Sequence, residues 1–146
     1  MLWKFIRWLL LVKEIVSKEG RVHFRRYRLF ACPWLRVYLH HILMSDMDKH
    51  KHDHPWHFCS LILRGAYKEI ATYSPYHFAE HTLTYRAGSL ILHQADDAHQ
   101  ITLLTPSVWS LVVAWGKSRD WGYRCSPSIW IPHQEYRRIK NEGELT

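Results

Sequence analysis

Four imidazoles, His50, His52, His54 and His57, fall within eight residues of the chain, and an apolar run after them ends at Gly65. In an extended strand side chains alternate faces, so His52 and His54 point the same way and can offer two ring nitrogens to one point. Neutral imidazole is the commonest protein ligand for transition metals. With 12 His in 146 residues, chance supplies about one His-x-His pair, and two occur here, His50/His52 and His52/His54. A second segment adds weight: in Tyr85–Leu104, His99 follows Gly88 by eleven residues between two strand-like runs. Together the segments predict a three-histidine metal site.

These segments resemble the paired motifs of the cupin superfamily, G(x)5HxH(x)3-4E(x)6G and G(x)5PxG(x)2H(x)3N. His52, His54 and Gly65 match the first motif, Gly88 and His99 the second. Gly65 fits the spacing from His54 and not from His52, which selects His52/His54 as the pair. The chain departs from the motifs at several positions. Asp46 stands for the opening glycine, Phe58 or Cys59 for the glutamate, and Gln94, Asp96 and Leu103 for the Pro, Gly and Asn. The resemblance spans about residues 35–117 and implies a double-stranded β-helix, an all-β jelly-roll barrel, with metal ligands His52, His54 and His99. It implies a divalent transition ion, Fe(II) favoured and Zn, Ni, Mn or Cu also suited, and an oxygenase-like metalloenzyme acting on a small molecule. A non-catalytic or metal-free cupin holding a sugar or other small ligand is the alternative. Cys59, five residues after His54, is similar in position to the cysteine that replaces the glutamate in three-His thiol dioxygenases, so Cys59 and His57 are the catalytic candidates. His57 and Asp53 are candidates for a fourth ligand, although alternation from His54 turns both to the other face.

The elements that must position these residues read as strands. Arg21–Phe30 alternates with Val22, Phe24 and Arg26 on one face, and Leu35–Met44 is expected to bury Val37, Leu39, His41 and Leu43, leaving Tyr38, His40 and Ile42 on the other. Phe58–Arg64 and Ala66–Tyr73 join tightly at Arg64-Gly65, and further strands are expected at 77–86, 89–92, 98–104 and 108–117. Asp96-Asp97 turns the chain before His99, because Asp side chains bond backbone groups in turns. Before the strands, apolar residues at 2, 5, 6, 9, 12, 15 and 16 predict an N-terminal helix over about 1–20, stopped at Gly20. After them, 118–146 is expected to form a strap ending in a charged, frayed tail.

Length predicts a single domain, 1–146, large enough to bury about two-thirds of its unfolded surface. An apolar content of 47% with 8 Trp and 8 Tyr argues against disorder. Cys32, Cys59 and Cys125 are odd in number and widely spaced, which disfavours a disulfide framework or zinc ribbon and points to a reducing cytoplasm. Residues 1–38 hold nine Lys/Arg against Glu14 and Glu19, whereas the remainder is balanced, so the whole net charge of +7 lies in the N-terminal arm. The arm is expected to pack on the barrel or in a homodimer interface. A membrane-surface role for its Trp- and Lys/Arg-bearing helix, or nucleic-acid binding by its arginines, is the lesser reading beside a small-molecule ligand. The uninterrupted apolar stretch Trp8–Val12 is too short to span a bilayer, and neither a signal peptide nor an anchor is expected.

Overall fold

The computed structural model describes residues 11–144. They form twelve strands: β1 (Leu11–Val16), β2 (Val22–Ala31), β3 (Leu35–Ile42), β4 (Lys51–His52), β5 (His57–Arg64), β6 (Ala66–Thr72), β7 (His81–Arg86), β8 (Leu90–His93), β9 (Ala98–Leu103), β10 (Val108–Trp115), β11 (Gly122–Ser126) and β12 (Ile129–Pro132). One helix, α1 (His133–Asn141), follows them. The strands make two six-stranded sheets, ordered β1-β2-β3-β10-β5-β8 and β12-β11-β4-β9-β6-β7, with each of these neighbours paired antiparallel. This is the all-β jelly-roll architecture expected from the sequence.

The core lies between the sheets in two neighbouring groups. Tyr38, Phe58, Val112 and Ala114 form one, with Trp56 against it; Ile62, Tyr67, Ile91 and Val108 form the other. Along β5 the inward residues are Phe58, Ser60 and Ile62, and along β10 Val108, Ser110, Val112 and Ala114, a period of two that follows from the pleat. Gly65 makes the tight turn that carries the chain from β5 in the first sheet to β6 in the second, at φ 87°, where a Cβ would strike the Ser107 carbonyl oxygen.

Three expectations change. Leu11–Val16 is a strand rather than part of a helix, and residues 1–10 of that expected helix lie outside the described residues. Apolar residues at 12, 15 and 16 suit either period, and pairing with β2 decides the matter: Ser17–Gly20 turns the chain, and Glu14 meets Arg25 Nε at 2.6 Å across the strands. In β3 the buried face is that of Tyr38, His40 and Ile42, because Val37 and Leu39 join an apolar outer face of the sheet with Cys59, Leu61, Leu90 and Leu92. The segment expected as a C-terminal strap is built of regular elements. β11 and β12 complete the second sheet, and α1 docks by Tyr136, which is buried and stacks on Tyr123 at 3.8 Å.

Candidate metal centre

β4 has only two residues, yet it lies between two longer strands. His52 pairs with His99 of β9 on one side and with Tyr123 of β11 on the other. The chain beyond β4 is held by Asp53, which is buried, accepts bonds from the Gly122 N–H at 2.7 Å and Trp130 Nε1 at 2.8 Å, and forms an ion pair with Arg119 at 3.2 Å. Arg119 also donates to the His54 carbonyl at 3.1 Å, and the His54 N–H reaches the Ala95 carbonyl at 2.9 Å. Asp53 is thus spent on the β11–β12 hairpin and is no fourth ligand. Its neighbours His52 and His54 turn together to the opposite face.

There they meet His99. The ring centroids form a triangle with sides of 5.2 Å (His52–His54), 4.8 Å (His52–His99) and 4.8 Å (His54–His99), and one ring nitrogen from each lies within 4.8 Å of the others. Three imidazoles on one ion at bonds of about 2.1 Å have nitrogens about 3–3.5 Å apart, so small side-chain rotations separate this arrangement from a formed site. His54 Nδ1 is buried with no hydrogen-bond partner among the described residues. Such an orphan costs about 1–3 kcal/mol unless something binds it. The donor set therefore fits a divalent ion of the imidazole-preferring kind.

Behind His99 stands Glu69 of β6, fully buried. Its Oε1 accepts the Nδ1–H of His99 at 2.5 Å and the Nε2–H of His93 at 3.0 Å. That bond fixes the His99 tautomer and leaves Nε2 bearing the lone pair. Glu69, His93 and His99 themselves form a second cluster of ligating atoms within 4.8 Å. The charges distinguish the two clusters. Burial opposes ionisation of His93, but the adjacent carboxylates of Asp97, at 3.7 Å, and Glu69, at 3.0 Å, outweigh it and push it up to about 9, while burial of Glu69 is outweighed by His93 and His99, which hold it at about 2. His93 and Glu69 are accordingly an internal ion pair. In contrast, burial first and the neighbouring His99 and His52 next lower His54 well below its ordinary value, with His93 and Arg26 adding to the effect; burial also lowers His52. His52 and His54 are neutral lone-pair donors at neutral pH.

Phe58 closes the inner side of the site, its ring 4.7 Å from His54 and 5.2 Å from His93. Phe58, not Cys59, therefore occupies the glutamate slot on the site side. Cys59 lies on the other face of β5, paired with Leu92 and Val113, and the likeness to thiol dioxygenases loses the residue that carried it. His57 shares that outward face, stacking on Trp115 and accepting the Ala95 N–H at 3.1 Å, so it is not at the site either. The turn before His99 is built as expected from Asp, with Asp97 accepting the N–H groups of Gln94 at 2.7 Å and Ser74 at 2.9 Å.

Glu69 and His93 are the residues the sequence reading missed. Both carried a signal. Glu69 alternates with Tyr67 and Ala71 on the face of a strand that is otherwise apolar, and His93 extends the alternation of Ile91 by one step beyond the expected strand end.

No protein-family model matches the sequence, and no curated protein does. Solved structures do match in fold. Iron(II) HppE aligns with a TM-score of 0.57 at 14% identity, covering 70% of this chain and 55% of that one. The hydroxypropylphosphonic acid epoxidase from S. wedmorenis aligns at 0.52 and 14%, covering 70% and 56%. A structure from the DMSP lyases RdDddP and RnDddQII aligns at 0.55 and 20%, covering 76% and 60%. The chain thus spans little more than half the length of these neighbours. Among the described residues no helix is long and apolar enough to cross a membrane.

Proposed function

We propose that the chain is a mononuclear non-haem metalloenzyme that binds one divalent ion through His52, His54 and His99 and acts, oxygenase-like, on a small molecule. The observation that carries this reading is the triangle of three imidazoles with the His99 Nδ1–H committed to Glu69, an arrangement that leaves its remaining nitrogen with one use. Iron(II) is one of the ions that imidazole suits, and the iron(II) of the HppE neighbour is the reason to favour it. A bound ion with three protein ligands would supply Lewis acidity and open positions for substrate and a small oxidant. The protein's own contribution is fixed by its side chains: Glu69 orients His99, Asp53 and Arg119 hold the loop that carries His54, and Phe58 keeps the inner side of the triangle dry.

Element analysis of protein purified without added metal or chelator tests the reading. Close to one transition ion per chain, lost in His52→Ala, His54→Ala and His99→Ala, is expected. Substoichiometric metal that these substitutions do not change would end it.

A further inference from the structure

The wall facing the histidines carries positive charge. On the inward face of the first sheet, Lys13 pairs with Arg26, Arg26 with His40, and His40 with Ser110, one row across β1, β2, β3 and β10. Arg26 Nε bonds His40 Nε2 at 3.0 Å, and its guanidinium carbon lies 5.5, 4.9 and 5.7 Å from the rings of Phe24, Tyr38 and Trp56. Arg36, two positions from Tyr38 on the same face, lies over Trp56 at 5.3 Å, and its NH1 is buried with no partner. Neither arginine has a carboxylate partner among the described residues, and residues 1–10 contain no Asp or Glu. Trp56 and Tyr38 belong to the same packed group as Phe58, whose ring touches His54.

Buried guanidinium groups are normally paired, because removing charge from water without compensation is costly. Aromatic faces supply part of that compensation to Arg26. They cannot accept its terminal N–H groups in the forked geometry that suits an oxyanion. Burial also pushes the Arg26 guanidinium down from its ordinary value, and a bound anion would reverse that.

We propose that Arg26 and Arg36, set against Trp56, form an oxyanion subsite, so that the substrate is a small molecule whose carboxylate or phosphonate group is held on this wall while its reacting end lies toward His52, His54 and His99. The position of the reacting end rests on the three-histidine reading; the subsite itself does not. Anchoring one end of a small substrate at these two arginines converts a collision into a fixed approach toward the histidines.

Calorimetric titration of chelator-treated, metal-free protein with methylphosphonate and, separately, with acetate tests the subsite without any turnover. Saturable binding of at least one anion is expected, weakened at least about tenfold in Arg26→Gln and in Arg36→Gln and unchanged in Arg138→Gln on α1. The tighter anion names the head group. Arg26→Lys, which keeps the charge and loses the fork, is expected to bind at an intermediate level and guards against a folding defect in the glutamine variant. No saturable binding of either anion, or binding that both glutamine variants retain, overturns the proposal. Cobalt titration of the same variants separates the two readings: intact metal binding with no anion binding removes the subsite alone, whereas anion binding without metal binding removes the metalloenzyme.

Discussion

Glu69 Oε1 lies 2.5 Å from His99 Nδ1, a buried carboxylate set directly behind one of the three clustered imidazoles. The carboxylate cannot donate, so the ring must, and the tautomer of His99 is decided on β6 rather than at the site. Replacing Glu69 by Gln keeps the shape and removes the charge. Metal affinity is expected to fall about 10–100-fold, the usual cost of losing such a partner. Cobalt or zinc competition titration measures it, and an unchanged affinity would mean that Glu69 serves only His93.

The same carboxylate predicts a pH window for stability in metal-free protein. His93, at about 9 in the fold against an ordinary 6.5, contributes fully below pH 6.5 and loses its contribution as pH rises through 9. Glu69, at about 2 against 4.5, contributes above pH 4.5 and loses its contribution as pH falls through 2. Both act together between pH 4.5 and 6.5. There Glu69→Gln should cost roughly 3 kcal/mol, as removing one member of a buried pair does. Urea unfolding across pH reads the difference, and a penalty that stays level from pH 5 to beyond pH 9 would contradict the ion pair.

Selectivity among the twelve histidines is a separate test. His52→Ala, His54→Ala and His99→Ala should each sharply reduce stoichiometric metal binding. His23→Ala and His133→Ala should leave it intact, His133 being stacked on Trp121 at 4.4 Å. Equal losses in all five would indicate adventitious binding by a His-rich chain. Cys59→Ser, on the outer face of β5, should leave metal binding unchanged and stability within about 0.5 kcal/mol.

Acid should release the metal by protonating its ligands. Two pH units below an ordinary imidazole value near ~6.5, three ligands together lose up to roughly 10⁶ in apparent affinity. Burial lowers His52 and His54, so they keep their lone pairs to more acid pH than free imidazole does, and release is displaced downward, to around pH 4–5 or below. Absorption of the cobalt-loaded protein during acid titration follows the loss. Release already complete at pH 6.5 would contradict buried imidazole ligands.

Asp53 offers a test of the scaffold. With three donors converging on a buried carboxylate, Asp53→Ala should destabilise the protein by roughly 3–5 kcal/mol and weaken metal binding together, because the freed loop carries His54. Thermal melts with and without metal measure both effects. A stable variant with full metal affinity would show that β4 needs no such tie.

The jelly roll and the three histidines were legible because each depends on short-range pattern: alternation puts His52 beside His54, and Gly65 and Gly88 mark the turns where the chain passes from one sheet to the other. Glu69 was not legible as a partner of His99, since the two meet only when β6 pairs with β9 and Ala71 falls opposite His99. The faces of β3 misled because its outer side is apolar as well, so hydrophobicity could not distinguish Val37 from Tyr38. Helix α1 did leave local marks, Glu135 in its first turn and Arg138 and Lys140 in its last, but Tyr136 is its one buried residue, too little for a periodic signal. At β1 the apolar spacing suited two periods, and a partner strand resolved it.

The pairing of His52 with Tyr123 bears on how the protein is made. A chain emerges from the ribosome N-terminal end first, and early segments fold as soon as their partners are available. β4 gains its second neighbour only when β11 appears some seventy residues later, and Asp53 is satisfied only when Trp130 arrives. A growing chain can pair β2 with β3 and β6 with β7 and still present His52 and His54 on a loose loop. The three imidazoles are thereby brought together only when synthesis is nearly finished, so an interrupted chain would lack the assembled triangle.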